Sequence, residues 1–332
     1  MIIPAGRSRP QSDPVGEGVL VLETEGLTKQ FGGTIAVQNL DLHVRPGEIY
    51  GFLGPNGAGK TTTIYMLLGL IPPTAGRVLL FGQPVTPDAL TLKRRIGVVA
   101  EEPVSATRMT AWELVRFFAD LNGVPRPERR MHELFEALDL WDVRHSLAHD
   151  YSRGMRQKLS LIRALVHDPD LLVLDEPVSG LDPYGILQVR ELVDAHRRRG
   201  GAVFISSHIL SEIERSADRI GILHQGRLLA EDTMDGLRRR LAHGAVVELD
   251  LAVASPGLVS ALAALPCVER LVADGRRVAL HVMAEQDARP AIFQTVVAQG
   301  GVLVEMRTEE MSLEEAFVTI TNSNVQQLVG AA

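Results

Sequence analysis

Two apolar runs without polar interruption, at 171–174 (LLVL) and 202–206 (AVFIS), stand out along this chain. A strand that lacks polar alternation is one buried on both faces, the setting of a parallel sheet covered by helices. Shorter runs at 20–24 (LVLET), 40–44 (LDLHV) and 49–53 (IYGFL) also read as strands, and 60–70 reads as a helix. From about Ala111 to Val166 the pattern is mostly helical, opened by a predicted capping box between Thr110 and Glu113. Strands alternating with helices predict an α/β core with a helical insert.

From Gly244 the pattern changes. Runs at 246–253, 267–273, 277–283 and 301–307 read as strands, helices are predicted at 255–265 and 288–298, and Gly275 and Arg276 form a turn. That is β-α-β-β-α-β, the ferredoxin-like order. A last helix is predicted to start at Ser312, with Glu315 completing a capping box. The expected organisation is a tail at 1–18, a large α/β domain at 19–240 with its helical part at about 105–167, a small α+β domain at 244–322, and a tail at 323–332. No internal repeat is present.

Composition narrows the function. The chain has 332 residues, 45% of them hydrophobic, enough for packed cores. Its 34 basic and 41 acidic residues leave a formal net charge of -7. A sequence-independent nucleic-acid binder needs a basic excess, so no nucleic-acid partner is expected. The single Cys267 forms no intrachain disulfide, which fits a reducing compartment. No stretch approaches the ~20 apolar residues of a membrane helix, and the N-terminus, rich in Pro, Gly and charge, lacks the apolar core of a signal peptide. The chain is expected to be soluble, so any membrane role requires a partner. The histidines show no ligand spacing with Cys or carboxylates, and the triplets 197–199 and 238–240 of arginine read as solvated helix ends.

The chemistry concentrates at Gly54, Pro55, Asn56, Gly57, Ala58, Gly59, Lys60 and Thr61, followed by Thr62. This is G-x-x-x-x-G-K-[ST] between an apolar strand and a helix, the context that a phosphate-binding loop requires. Glycines let successive N–H groups face phosphate oxygens, and the helix N-terminus adds partial positive charge. Lys60 can reach the terminal phosphates of a nucleotide and the Thr61 hydroxyl can ligate Mg²⁺. The run at 171–174 ends on Asp175 and Glu176. Asp175 is placed to hold Mg²⁺ through water, and Glu176 to act on the water that attacks the γ-phosphorus.

These two motifs, together with Ser179-Gly180-Leu181-Asp182-Pro183, resemble the Walker motifs and D-loop of an ATP-binding cassette (ABC) ATPase. The resemblance covers about Leu20 to Arg240. It implies that ATP and Mg²⁺ are cofactors, that Glu176, His208 and Lys60 are catalytic, and that His208, in Ser206-Ser207-His208, senses the γ-phosphate. It also implies that Phe31 stacks on adenine. Tyr151-Ser152-Arg153-Gly154-Met155-Arg156-Gln157 takes the place of the family's LSGGQ signature, which acts on the nucleotide of a second subunit. The implied partners are that second subunit, arranged head to tail in a homodimer, and a separate polytopic membrane permease docked near 101–112, with this chain cytoplasmic and peripheral on the cytoplasmic face of the cell membrane.

Two departures from the family pattern stand out. Arg153 replaces the first Gly and Met155 the Gln of LSGGQ, while Ser152 and Gly154 are kept. Arg153 reads either as a solvated helix-start residue or as an extra cation near the nucleotide. Glu101 stands where the family has a Gln that approaches Mg²⁺, which adds charge and removes an amide donor. Both departures, and the tail with Ser312-Leu313-Glu314-Glu315-Ala316-Phe317, resemble the type-2 exporter branch. A soluble ABC ATPase is the alternative. Such members pair two cassettes in one chain or carry coiled-coil arms or zinc motifs, whereas this chain shows one phosphate loop and neither insertion.

Overall fold

A computed structural model describes residues 19–86, 88–102, 108–241, 245–253, 255, 257–282 and 287–309. The chain divides into two compact units, Met1–Asp232 and Thr233–Ala332.

The first unit opens with β1 (Leu22–Phe31), β2 (Thr34–Val44) and β3 (Ile49–Leu53), followed by α1 (Lys60–Leu67), β4 (Ala75–Leu80), β5 (Gln83–Pro84), α2 (Leu90–Lys93) and β6 (Ile96–Val99). The helical insert comprises α3 (Ala111–Leu121), α4 (Glu128–Ala137) and α5 (Arg153–Leu165). Then come β7 (Leu171–Asp175), α6 (Pro183–Arg198), β8 (Ala202–Ser207), α7 (Leu210–Glu214), β9 (Arg219–His224) and β10 (Arg227–Thr233).

Six strands form the central sheet in the order β10-β9-β3-β8-β7-β6. The pairs β9–β3, β3–β8, β8–β7 and β7–β6 are parallel. Every residue of β3, β7 and β8 is buried, as their unbroken apolar runs require. Phe204 lies at the centre, stacked on Tyr50 at 5.7 Å and tilted against Phe52 at 5.2 Å between ring centroids. A separate four-stranded sheet, β2-β1-β4-β5, packs its apolar face into the same core as β3 and β8. Its β1 and β2 extend well beyond the runs at 20–24 and 40–44. Register shifts after Thr24 and Leu27 break the alternation that would have revealed the rest. Helix α1 stops at Leu67 rather than Leu70, because Gly69 takes φ 65°.

The capping box of α3 forms: Thr110 Oγ1 accepts from Glu113 N at 3.2 Å, and Glu113 Oε2 accepts from Thr110 N at 2.9 Å. Donation from Thr110 N and from the Thr110 hydroxyl holds the Glu113 carboxyl below the usual carboxylate range. Helices α3, α4 and α5 bury Val115, Phe135, Leu161 and Leu165 against Leu172 and Leu174 of β7, so the insert shares one core with the sheet.

The second unit holds α8 (Met234–Leu241), β11 (Ala245–Val253), α9 (Leu258–Ala263), β12 (Val268–Asp274), β13 (Arg277–Val282), α10 (Arg289–Ala298) and β14 (Val302–Glu309). Its antiparallel sheet runs β12-β13-β11-β14, the split β-α-β order of ferredoxin-like domains. Leu249, Leu251, Leu280, Ile292 and Val296 form its separate core. The helix expected at Ser312 lies outside the described residues.

Phe204 is fully buried under two rings, so Phe204→Ala is expected to cost about 3–5 kcal/mol. Urea denaturation followed by circular dichroism measures this, and a loss below about 1 kcal/mol would contradict the central position assigned to the ring.

Candidate functional site

The site lies at the carboxyl ends of β3, β7 and β8, where parallel strands direct their loops to one edge. The phosphate-loop segment joins β3 to α1 and is held by Gly54 N donating to Ser207 O at 3.2 Å and Gly226 N to Ala58 O at 2.9 Å. Only glycine fits at two of its positions. A Cβ on Gly54 would lie 2.4 Å from Leu223 O, and Gly59 combines φ 108° with a Cβ position 2.5 Å from Ala36 O. Gly59 caps α1 without a side-chain bond, and the first turn carries no acidic residue. Its N–H groups therefore face the loop as anion donors. Asn56 and Gly57 are exposed at the tip, with Ala58 buried beneath them.

Lys60 is buried and donates to Gly54 O at 2.7 Å, with its Nζ 3.5 Å from Glu176 Oε1. Thr61 Oγ1 donates to Asp175 Oδ2 at 3.1 Å, while Thr62 is half-buried one position further along α1. Asp175 also accepts from Ser206 Oγ at 2.5 Å. Burial pushes the Asp175 carboxyl above its usual range; the Ser206 and Thr61 hydrogen bonds oppose this, and the neighbouring Glu176 charge adds to it. Glu176 takes φ 48°, a left-handed conformation unusual for a residue with a side chain, and its N–H donates to Ser206 O at 3.2 Å. His208 Nδ1 lies 2.9 Å from Glu176 Oε2. The structure thus brings Lys60, Thr61, Asp175, Glu176 and His208 together.

The signature turn forms a second grouping. Ser152 caps α5, its Oγ accepting from Met155 N at 3.2 Å. Arg153 stays exposed, yet its Nη2 donates to Ser179 Oγ at 3.1 Å, which neither sequence reading of this residue had anticipated. A Cβ on Gly154 would lie 3.2 Å from Gly180 O, so the turn presses on the D-loop of its own chain. Tyr151 is anchored by its hydroxyl to Val143 O at 2.8 Å, and burial pushes its phenol up to about 12. Asp182 caps α6, accepting from Gly185 N at 2.7 Å, with Pro183 opening the helix.

Phe31 closes β1 with its ring 51% exposed and Lys29 Nζ 4.9 Å from the ring centroid, so a flat face is open to solvent. Glu101 is exposed beyond the end of β6. Sequence reasoning missed the structural work of Ser206, Gln157 and Glu212. Ser206 is fully buried, its Oγ donating to Asp175 Oδ1 and accepting from Glu176 N, and Gln157, 2% exposed, donates to Glu176 O at 3.4 Å. Glu212 accepts from Ser207 Oγ at 2.7 Å, and burial raises its carboxyl above the usual range. The available signal was a serine ending an apolar strand and a glutamine on the inner face of a helix.

Comparison with known proteins agrees with this geometry. The family described as ABC transporter matches residues 37–179. The chain is 44% identical over 221 residues to the bacitracin transport ATP-binding protein of Bacillus licheniformis, covering 66% of this chain and 72% of the relative. It is 32% identical over 307 residues to the daunorubicin resistance ATP-binding protein of Streptomyces coeruleorubidus, covering 91% of this chain and 96% of the relative. A solved structure, described as the ATP-binding subunit of an ABC transporter, superposes with a TM-score of 0.64 at 32% identity, covering 66% of this chain and 92% of that one. The matched family span begins ahead of the phosphate loop and runs past Glu176, and over that span and more the chain belongs to the ABC transporter family, as one of its ATPase subunits.

Proposed function

We propose that this chain powers an exporter of drug- or antibiotic-like molecules, as a head-to-tail pair beneath a separate membrane permease on the cytoplasmic face of the membrane. The observation that carries the reading is the pair of buried carboxylates, Asp175 and Glu176, beside Lys60 at the phosphate loop. The cargo class rests on the relatives, which are named for bacitracin transport and daunorubicin resistance. Among the described residues no helix is long and apolar enough to cross a membrane.

In this reading the first-turn N–H groups of α1 and Lys60 bind the ATP phosphates, with the segment from Gly54 to Thr62 wrapped around them. Phe31 offers its exposed face to adenine. Thr61 and Asp175 are hard oxygen donors whose oxygens converge to 3.1 Å, and they fit Mg²⁺, completed by phosphate and water. Bound Mg²⁺ would neutralise charge developing on the phosphates. Glu176 orients and deprotonates the attacking water, and His208, 2.9 Å from it, is positioned to exchange Glu176 for the γ-phosphate. Ser152 and Gly154 of a second copy donate to that phosphate from the start of α5. Glu101, exposed just beyond β6, engages the metal shell only when Mg²⁺ is bound.

A groove of about 440 Å³ between β6, α3 and α5 supports the permease assignment. Its lining includes Leu90, Ile96, Phe118 and Leu121, and Leu90 and Leu121 are exposed. A cytoplasmic helix of the permease fits such a surface.

Glu176→Gln is expected to keep ATP binding and lower hydrolysis at least about a hundredfold, because the amide matches in shape but takes no proton. Phosphate-release kinetics measure this; near wild-type turnover removes Glu176 from the base role. Asp175→Asn separates stability from function. A carboxyl whose folded pKa is raised contributes stability at low pH that is lost as pH rises through the folded pKa, so the ionised Asp175 weakens the nucleotide-free fold at neutral pH. The variant is expected to melt higher than wild type at neutral pH without nucleotide, lose that advantage in acid, and gain little from MgATP. A lower neutral melting point without nucleotide would contradict this. Leu121→Arg is expected to abolish co-purification with the permease while the isolated chain keeps its ATPase rate; unchanged co-purification would exclude the groove.

A further inference from the structure

The signature turn departs from the family pattern at Arg153, and the structure gives that side chain a definite place. Its stem and guanidinium lie over Gly180: a Cβ on Gly180 would fall 3.1 Å from both Cδ and Nε of Arg153. Gly180 itself has φ 78°. The fork continues to Ser179, whose Oγ accepts from Nη2 at 3.1 Å. Glycine at 180 thus leaves the flat space that the arginine fills, while a neighbouring glycine, Gly154, lets the helix start approach the same loop.

That loop is short and braced. Ser179 N donates to Glu176 O at 3.2 Å, and Leu181 N to Val178 O at 3.1 Å. One turn further along α5, buried Gln157 donates to the carbonyl of Glu176 at 3.4 Å. The first turns of α5 therefore grip the segment 176–181 at two points, one at Ser179 and one at Glu176 itself. A shift of the signature turn cannot leave the backbone of Glu176 unmoved while both grips hold.

We propose that Arg153 is a positioning residue that ties the signature turn to the Glu176 loop of its own chain and so links the two nucleotide sites of a pair. This rests on the head-to-tail reading above. In such a pair the signature of one chain closes on its partner's ATP, whereas the Glu176 of that same chain serves its own ATP. Arg153 then relays closure at one site to the orientation of Glu176 at the other. A family-type glycine at 153 has no side chain for this bond, which leaves Gln157 as the remaining grip. Lysine at 153 still reaches Ser179 as a point charge, but it lacks the planar fork that lies over Gly180.

The test uses the full chain and four variants: Arg153→Ala, Arg153→Lys, Ser179→Ala and the Arg153→Ala/Ser179→Ala pair. Arg153→Ala is expected to lower kcat about tenfold, the scale of one charge-assisted hydrogen bond, with KM for ATP within about twofold. The Hill coefficient for ATP should fall towards one. Ser179→Ala should shift both quantities in the same direction, the double variant should be no worse than Arg153→Ala, and Arg153→Lys should recover part of the loss. Arg153 and Ser179 both lie outside the hydrophobic cores, and Ser179→Ala carries the test should Arg153→Ala fail to fold. Wild-type kcat and cooperativity in Arg153→Ala, or additive losses in the double variant, would overturn the proposal. Sizing Glu176→Gln with and without MgATP separates the two readings. An ATP-dependent pair together with unaltered Arg153→Ala cooperativity sinks the link alone, whereas no ATP-dependent pair sinks the head-to-tail reading and the link with it.

Discussion

Two adjacent carboxylates with almost no access to water, Asp175 at 2% and Glu176 at 6% exposed, set the terms for the rest of the first unit. Burying a charge costs several kcal/mol unless partners replace its water. The partners come from separate segments: Lys60 and Thr61 from α1, Ser206 from β8 and His208 from the loop after β8, while Gln157 of α5 holds the Glu176 backbone carbonyl. None of these residues is near 175 in the chain except through the fold. The acid pair is tolerated only where all these segments converge, and burial still pushes the Asp175 carboxyl above its usual range.

The sheet order follows from the same constraint. Strand β8 lies between β3 and β7, so the ends of all three come to one edge, with Asp175 opposite Ser206 and Leu53 opposite Ser207. A parallel sheet with both faces covered puts polar groups at its carboxyl edge and keeps them out of its body, where β3, β7 and β8 are buried throughout. The apolar mass that pins those strands, Tyr50, Phe52 and Phe204 on one side and Leu172 and Leu174 on the other, fixes the carboxylates without touching them.

Legibility in the sequence followed range of interaction. The phosphate loop was readable because glycine spacing, a preceding apolar strand and a following helix are local and cooperate. The buried strands were readable from their unbroken runs, and the α3 cap from Thr110 and Glu113 alone. The β-α-β-β-α-β order of the second unit was readable from alternation and turns. The long β1 and β2 were not, because bulges between Thr24 and Gln30 spoil the period of two. Strands β4, β5, β6, β9 and β10 were also passed over; β10 is only half-buried, so its pattern carries little apolar contrast. At the site, residue types named the chemistry, but tertiary contacts decided who touches whom. The left-handed backbone of Glu176 has no sequence mark, since nothing in the residue type asks for it. The bond from Arg153 to Ser179 spans 26 residues and depends on a bare Gly180 beneath the guanidinium.

The two polar groupings are joined by apolar packing as well as by hydrogen bonds, and this limits how the chain can move. Helix α5 carries the signature at its start, while Leu161, Ile162 and Leu165 further along it pack with Leu172 and Leu174 of β7. A close-packed core of that kind does not deform smoothly; it repacks between discrete arrangements. The start of α5 adds polar contacts at Arg153 and Gln157, which are directional and few, to the partly buried Met155 on the same core. Motion should therefore concentrate at the signature turn and at Ser179 and Gly180, which lie outside the core, leaving the body of the sheet fixed. A helix anchored in the core at one end and hydrogen-bonded to a catalytic loop at the other converts a small displacement of its tip into a change in the orientation of Glu176. Under the proposed head-to-tail pairing, that asymmetry lets a nucleotide act at a distance through α5, the helix that also grips the Glu176 loop.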